Sequence, residues 1–172
     1  MLPINKTFTI IGSGNIAWFI SQRLVHNGWQ CNGVYSRNAA SAKALSTTIN
    51  APIINSLPTI NDDIALCCII AVPDQAISSV ASSLVLQKTT VVHTAGSVSL
   101  DLLPFSNKGV LWPIYSITQQ EDITTHKDIP IIVEAANTAA EQTIKAMAEA
   151  ISNQVVLTTW AQRQWLHLSA VI

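Results

Sequence analysis

The sequence predicts an α/β protein with a doubly wound, mostly parallel sheet. Three observations lead to this fold class. Apolar strands alternate with segments of helical periodicity along most of the 172 residues, which is the pattern of repeated strand–helix–strand units. Residues 64–72 are all apolar, as is typical of a parallel strand buried on both faces. A glycine-rich turn joins the first strand directly to the first helix.

The individual elements follow from hydrophobic periodicity and from turn residues. The predicted strands, in chain order, are 7–11, 31–35, a short extended piece at 53–54, 64–72, 89–93, 109–112, 129–133 and 155–158. The predicted helices are 15–26, 39–46, a helix after Pro73 with apolar residues at helical spacing over 77–84, a short turn near 100–103, a helix that contains 144–151, and a terminal helix over 160–172. The last two strands and the helix between them form one further strand–helix–strand unit.

The turn at residues 12–17 reads Gly-Ser-Gly-Asn-Ile-Ala, which is the spacing of a dinucleotide-binding turn. The first glycine allows a tight turn, the second allows the backbone to approach a phosphate, and the alanine keeps the helix close to the sheet. The helix then presents free N–H groups to a diphosphate. The cofactor-binding residues predicted here are Gly12, Ser13, Gly14, Asn15 and Ile16. The alternative is a glycine turn with a purely structural role.

The end of the second strand indicates which dinucleotide is bound. A carboxylate usually lies there in NAD-binding proteins, about 20 residues after the glycines, and binds the ribose 2′-hydroxyl. This chain has Ser36, Arg37 and Asn38 instead, and no Asp or Glu occurs before Asp62. Because a guanidinium pairs well with a phosphate, we predict NADP as the cofactor and these three residues as ligands. The alternative is that Arg37 is a solvated loop cation.

The loops that follow residues 64–72 and 89–93 are expected to meet the nicotinamide, because ligands bind at the carboxyl ends of parallel strands. Val72, Pro73 and Thr94 in these loops are further predicted cofactor contacts. His93 is the first candidate for proton delivery or for stabilising charge on the substrate, since imidazole titrates near neutral pH. The alternative for His93 is a strand-end histidine bonded to the backbone.

Two further residues are candidates for catalysis. Ser97 offers a hydroxyl to a carbonyl or imine substrate, and His167 lies one helical turn after Arg163 on the predicted terminal helix. A guanidinium and an imidazole on one helix face could close the pocket and bind an acidic substrate.

Composition restricts the partners and the compartment. Hydrophobic residues make up 49% of the chain and charged residues only 11%, so a partner is expected to cover part of the surface. The net charge of −1 and the absence of Lys/Arg runs predict no nucleic-acid partner, and residues 64–72 are far shorter than the roughly 20 residues of a membrane helix. Three cysteines without metal-ligand spacing, and a first strand in place of a leader, predict a reducing cytoplasm.

The chain is predicted to divide at residue 160. A dinucleotide-binding domain is expected over 1–159, and 160–172 is expected to be the first part of a helical dimerisation or substrate domain, which this chain contains only in part. The segment 160–172 leaves little polar face, so as a helix it needs burial nearly all round. A helical second domain or a second subunit would cover it. The alternative is a helix that folds back on its own sheet.

Four motifs resemble those of one family: Gly-Ser-Gly-Asn-Ile-Ala at 12–17, Ala-Val-Pro-Asp at 71–74, His-Thr-Ala-Gly-Ser at 93–97 and Gly-Val-Leu-Trp-Pro-Ile-Tyr-Ser at 109–116. They are similar to motifs of the Rossmann-like NADP oxidoreductases, which are related to pyrroline-5-carboxylate reductase and to deazaflavin-dependent NADP reductases. The resemblance covers essentially the whole chain and implies a Rossmann-type sheet, NADP and a helical domain that builds a dimer. Arg163 and His167 resemble the start of that domain. The chain departs from the commoner pattern at Trp112, where the family has His, and at Ala95, where it has Ser.

These observations predict an NADPH-dependent oxidoreductase that transfers hydride to or from a small carbonyl or imine substrate and acts as a cytoplasmic homodimer. The alternative is a non-catalytic NADP-binding module that senses the cofactor or scaffolds a partner. Hydrolase and kinase functions are disfavoured, because the sequence has no readable Ser-His-Asp set, no HExxH motif and no Walker lysine.

Overall fold

The computed structural model of the chain describes residues 5–118 and 128–171. Strands and helices alternate along most of it. The strands are β1 Thr7–Ile11, β2 Gln30–Tyr35, β3 Cys67–Ile70, β4 Thr90–His93, β5 Lys108–Pro113, β6 Ile131–Ala135 and β7 Val155–Leu157. The helices are α1 Asn15–His26, α2 Ala39–Thr48, α3 Ile77–Ser82, α4 Thr138–Ile151 and α5 Trp160–Val171.

In the described part of the chain, the seven strands form one sheet in the order β2-β1-β3-β4-β5-β6-β7. All neighbours are parallel except β5 and β6, which are antiparallel. The chain leaves β1 first toward β2 and later returns to β3 on the other side, so the strand order reverses at β1. The predicted doubly wound, mostly parallel Rossmann-type sheet is therefore confirmed.

Two apolar layers cover the two faces of the sheet. One layer contains Phe8 and Ile10 of the sheet together with the buried sides of α1, α2 and α4. The other contains Ile70 and Val91 together with α3. Because both faces are covered, the central strands have buried side chains in every position, as β1, β3 and β4 do.

The predicted strands differ most from the structure at residues 64–72 and 53–54. The apolar run 64–72 contributes only Cys67–Ile70 to the sheet, since its ends extend beyond the ladder of the neighbouring strands. The extended piece at 53–54 forms a single bridge, between Ile53 and Val34 at the outer side of β2. Hydrophobicity alone does not predict where the hydrogen-bonded ladder stops.

The carboxylate of Asp62 organises the entry to β4. It accepts hydrogen bonds from the backbone N–H groups of Gln87, Lys88 and Thr89, with Asp62 Oδ1 2.8 Å from the Thr89 nitrogen. Partial burial opposes ionisation, but the three N–H groups together outweigh it and lower the pKa of Asp62 to about 2.

We expect Asp62→Asn to lower the free energy of unfolding at pH 7 by about 1 kcal/mol, because the charge-assisted bonds to this turn are lost. A folded-state pKa below the ordinary carboxyl value means that the stabilisation is present above pH 4 and is lost as the pH falls through about 2. Chemical denaturation at several pH values measures both effects. The exposed neighbour Asp63 provides the control, since Asp63→Asn removes the same charge; an equal loss in both variants would contradict the anchoring role.

Candidate functional site

A cleft of about 640 Å³ opens at the carboxyl ends of β1, β2, β3 and β4, where the strand order reverses. This is the position at which doubly wound sheets bind ligands, and the volume is that of a small-molecule site. All the residues predicted to bind the cofactor line this cleft: Gly12, Ser13, Gly14, Asn15, Ile16, Ser36, Arg37, Asn38, Val72, Pro73 and Thr94.

The two glycines of the first turn, Gly12 and Gly14, differ in what a side chain would meet at their positions. Gly12 has a φ of +120°, and a Cβ there would overlap the backbone carbonyl of Ala71. A Cβ on Gly14 would have no described atom within 4 Å, so the space beside it belongs to the cleft. Gly12 is therefore needed for the turn itself, whereas Gly14 leaves space in which a ligand could approach the backbone.

The N-terminus of α1 offers backbone groups that are suited to an anion. Gly14 is the N-cap and has no side chain to occupy the N–H groups of the first turn, and that turn contains no acidic residue. The helix dipole and the free N–H groups both favour a negatively charged ligand. A diphosphate therefore fits this part of the cleft.

The loop after β2 closes one end of the cleft with polar side chains. Ser13 Oγ donates a hydrogen bond to Ser36 Oγ at 2.8 Å and so ties this loop to the glycine turn. Asn38 caps α2 by accepting from the N–H of Ser41. The Arg37 side chain is exposed and lines the cleft, where it can pair with a phosphate.

Side chains of α3 extend the cleft beyond the sequence prediction. The lining residues that sequence reasoning missed are Ile11, Tyr35, Leu57, Ala71, Asp74, Ala76, Ser79, Val80, Ser83 and Ala95. Ser79 and Val80 of α3 and Ser83, the cap residue that follows α3, all line the cleft. The sequence does contain a signal for them. The helix starts at the same sheet edge as the glycine turn, and residues four apart, such as Ser79 and Ser83, lie on one side of a helix.

His93 does not have the accessible surroundings that proton delivery to a substrate would require. Its side chain is fully buried and does not line the cleft, and Nδ1 accepts a hydrogen bond from the N–H of Ala95 at 3.2 Å. Burial, and after it the positive charge of Arg163, lowers the pKa of His93 to about 4. The imidazole is therefore neutral at pH 7, and the backbone-bonded alternative describes its geometry. Its catalytic role stays a prediction.

The other two candidate catalytic residues lie on different elements. Ser97 is exposed and its hydroxyl donates to Asp74 Oδ2 at 2.6 Å, which joins the loops after β3 and β4. His167 is half-buried on α5, with its ring 5.7 Å from that of Trp112. Both roles stay predictions.

Arg163, expected beside His167 at the mouth of the pocket, has no exposed surface. Its Nε donates to Glu134 Oε2 at 2.7 Å and its Nη1 donates to the carbonyls of Ala95 and Gly96. The guanidinium is thus engaged inside the protein, so the expectation that it reaches an acidic substrate does not match its position. Sequence spacing along α5 does not reveal which side of the helix the protein covers.

Among the residues that the structure describes, we find no helix with the length and hydrophobicity of a membrane span. The three cysteines, Cys31, Cys67 and Cys68, are free and buried. Burial raises the pKa of Cys31 and Cys68 to about 12, so these thiols pack as small apolar groups.

The sheet order, the glycine turn and the cleft together define a dinucleotide-binding domain of the Rossmann type. The chain belongs to the family described as coenzyme F420-dependent NADP oxidoreductases, whose model matches residues 7–96. This membership confirms the family resemblance and the prediction of NADP as cofactor. No protein of curated function matches the chain in sequence.

Solved structures agree with the fold. A Bacteroides fragilis protein provisionally named an NADP oxidoreductase is 27% identical with a TM-score of 0.84, over 97% of this chain and 66% of that one. A Thermotoga maritima protein is 22% identical with a TM-score of 0.77, over 96% and 62%. An imine reductase from Myxococcus stipitatus, solved with NAD+, is 13% identical with a TM-score of 0.74, over 98% and 59%. The chain therefore spans just under two thirds of the length of these structures.

We expect Gly14→Ala to fold normally and to weaken NADPH binding at least tenfold, because its Cβ meets only the space that a diphosphate would occupy. Gly12→Ala should instead lower the melting temperature, because its Cβ overlaps the Ala71 carbonyl and the backbone has a positive φ. Thermal unfolding and fluorescence titration with NADPH measure the two effects. Unchanged affinity in a folded Gly14→Ala variant would mean that the diphosphate lies elsewhere.

Proposed function

We propose that the protein is an NADPH-dependent oxidoreductase that transfers hydride to or from a small carbonyl or imine compound. The observation that carries this proposal is the convergence of all predicted cofactor residues on one cleft at the switch point of the sheet, with Arg37 at its β2 end. Family membership over residues 7–96 supports the same reaction class.

Different residues along the cleft would bind different parts of the cofactor. NADPH, when bound, supplies the hydride. The α1 N-terminus and the glycine turn would hold the diphosphate, while Ser36, Arg37 and Asn38 would hold the 2′-phosphate. Val72, Pro73 and Thr94, at the ends of β3 and β4, would flank the nicotinamide.

The reacting end of the cleft lies beside the loop after β4. Neither Ser97 nor His167 lines the cleft, but the exposed Ser97 hydroxyl is held next to it by its bond to Asp74, which does line it. With His93 neutral and buried, we propose that this hydroxyl exchanges its bond to Asp74 for a hydrogen bond to a carbonyl or imine when substrate binds, together with His167 on α5. Metal ligands are not part of this scheme.

We also propose the domain organisation, assembly and compartment. The nucleotide domain occupies 1–159, and 160–172 begins a helical region that forms a homodimer. Trp165 and Leu168 on α5 are 73% and 57% exposed, and apolar side chains of this size favour a covering partner. The free, buried cysteines are compatible with a reducing cytoplasm.

A non-catalytic NADP-binding module is the second candidate function. The observation that favours it is the burial of His93, because the imidazole that was the first candidate for proton delivery does not line the cleft. A sensor or scaffold needs the cofactor site but no proton donor. Binding data and turnover data therefore separate the two functions.

The cofactor assignment is tested by titrating the protein with NADPH and with NADH. We expect tighter binding of NADPH, and we expect Arg37→Ala to weaken NADPH binding by 10- to 100-fold, equivalent to about 1.5–3 kcal/mol for a lost charged hydrogen bond, while NADH binding changes less than twofold. Lys43→Ala is the matched control, because it removes the same charge from the next helix outside the cleft. Equal losses for both cofactors in Arg37→Ala would remove Arg37 from this role.

Turnover is tested by following the absorbance of the reduced nicotinamide of NADPH with a panel of small aldehydes, ketones and cyclic imines. An oxidoreductase should consume NADPH with some member of the panel, and Ser97→Ala should lower kcat by about tenfold or more with little change in NADPH affinity. NADPH that binds tightly but is not consumed by any substrate would favour the sensor module over the enzyme.

A further inference from the structure

Arg163 lies in an unusual position for a charged side chain on the first turns of a helix. It has no solvent exposure, its Cζ lies 4.6 Å from the centroid of the Trp160 ring, and its Nε is 2.7 Å from Glu134 Oε2 on β6. Glu134 is itself only 7% exposed. Two ions are thus removed from water, which stabilises a fold poorly compared with apolar packing. A second task for the guanidinium is therefore expected.

That task is found in the loop after β4. Arg163 Nη1 donates to the carbonyl of Ala95 at 3.1 Å and to the carbonyl of Gly96 at 2.7 Å. The N–H of Ala95 donates to His93 Nδ1, so both backbone groups of Ala95 are held by buried basic side chains. Because a trans peptide is planar, fixing these carbonyls also fixes the N–H groups of Gly96 and Ser97, which point away from Arg163.

Other contacts hold the same loop from two further sides. A Cβ on Gly96 would come within 2.5 Å of the Trp112 ring, and that ring also contacts His167 of α5. On the cleft side, Ser97 donates to Asp74 Oδ2. The loop 94–97 is therefore enclosed by α5, β5 and the loop after β3, and two of its residues, Thr94 and Ala95, line the cleft.

We propose that Arg163 is a positioning residue: through the carbonyls of Ala95 and Gly96 it sets the loop 94–97 in the conformation that receives the nicotinamide end of the cofactor. The proposal rests on the proposed function, since it assigns the reacting end of the cleft to this loop. It extends that function because a residue of α5, outside the predicted nucleotide domain, controls the geometry of the cofactor site. Arg163 touches neither substrate nor cofactor in this arrangement.

The test compares two ligands on one variant. Arg163→Met combined with Glu134→Leu replaces the ion pair by apolar side chains of similar size, a change that buried ion pairs often tolerate. We expect NADPH affinity to fall at least tenfold, while the affinity for 2′,5′-ADP, which has the 2′-phosphate but no nicotinamide, stays within twofold. A merely structural loss would weaken both ligands. Gln164→Ala, an exposed change on the same helix, is the control and should alter neither affinity.

A conservative variant keeps the test decisive if the double variant does not fold. Arg163→Lys retains a positive charge for Glu134 but lacks the planar fork that reaches two carbonyls. We expect it to lose about three- to tenfold in NADPH affinity at unchanged 2′,5′-ADP affinity. Wild-type NADPH affinity in Arg163→Lys or in the folded double variant would overturn the proposal. Failure of the wild-type protein to bind NADPH at all would instead overturn the proposed function.

Discussion

The close approach of two parallel strands at Gly12 determines where a ligand can enter this molecule. β1 ends against the carbonyl of Ala71, just beyond β3, and the backbone there has a φ of +120° that excludes a side chain. β2 and β3 lie on opposite sides of β1. The connections that leave the ends of these strands therefore diverge, and the space between them becomes the cleft. The same turn directs the chain into α1 with its N–H groups facing that space. One backbone constraint therefore sets the position of the cleft, its preference for anions and the direction of the first helix.

Two guanidinium groups act on the cleft in contrasting surroundings. Arg37 is exposed, so salt and solvent screen its charge, and it is suited to discriminating between cofactors rather than to providing most of the affinity. Arg163 is fully buried and paired with Glu134, so its effect is transmitted through fixed hydrogen bonds to the loop 94–97. Its charge also contributes, after burial, to the lowered pKa of His93. One arginine is thus placed where it can meet a phosphate directly, and the other acts on the backbone at the opposite end.

Local features of the chain were predictable, and long-range ones were not. The glycine turn, the absence of a carboxylate after β2 and the strand–helix alternation are all readable within a few residues, and they yielded the fold and about half of the residues that line the cleft. The surroundings of His93 depend on Arg163 and Ala95, and the Arg163–Ala95 bond joins residues 68 apart in sequence. Position at a strand end indicated that His93 lies near the cofactor edge, but only packing decides whether its imidazole faces the cleft or the core. The same holds for Arg163, whose helical spacing does not state which face is covered.

The interior contacts of α5 bear on where the nucleotide domain ends. A boundary at residue 159 separates elements by composition, since 160–172 is unusually apolar. Yet the first turns of α5 supply a buried cation to Glu134 on β6 and hydrogen bonds to the loop after β4, while Trp165 and Leu168 on the same helix remain exposed. One side of the helix thus completes the cofactor domain, and the other presents apolar surface outward. A shift of α5 would move the Arg163 guanidinium, and with it the two carbonyls that the guanidinium binds. A helix with two such faces therefore couples whatever packs on its outer side to the loop at the reacting end of the cleft.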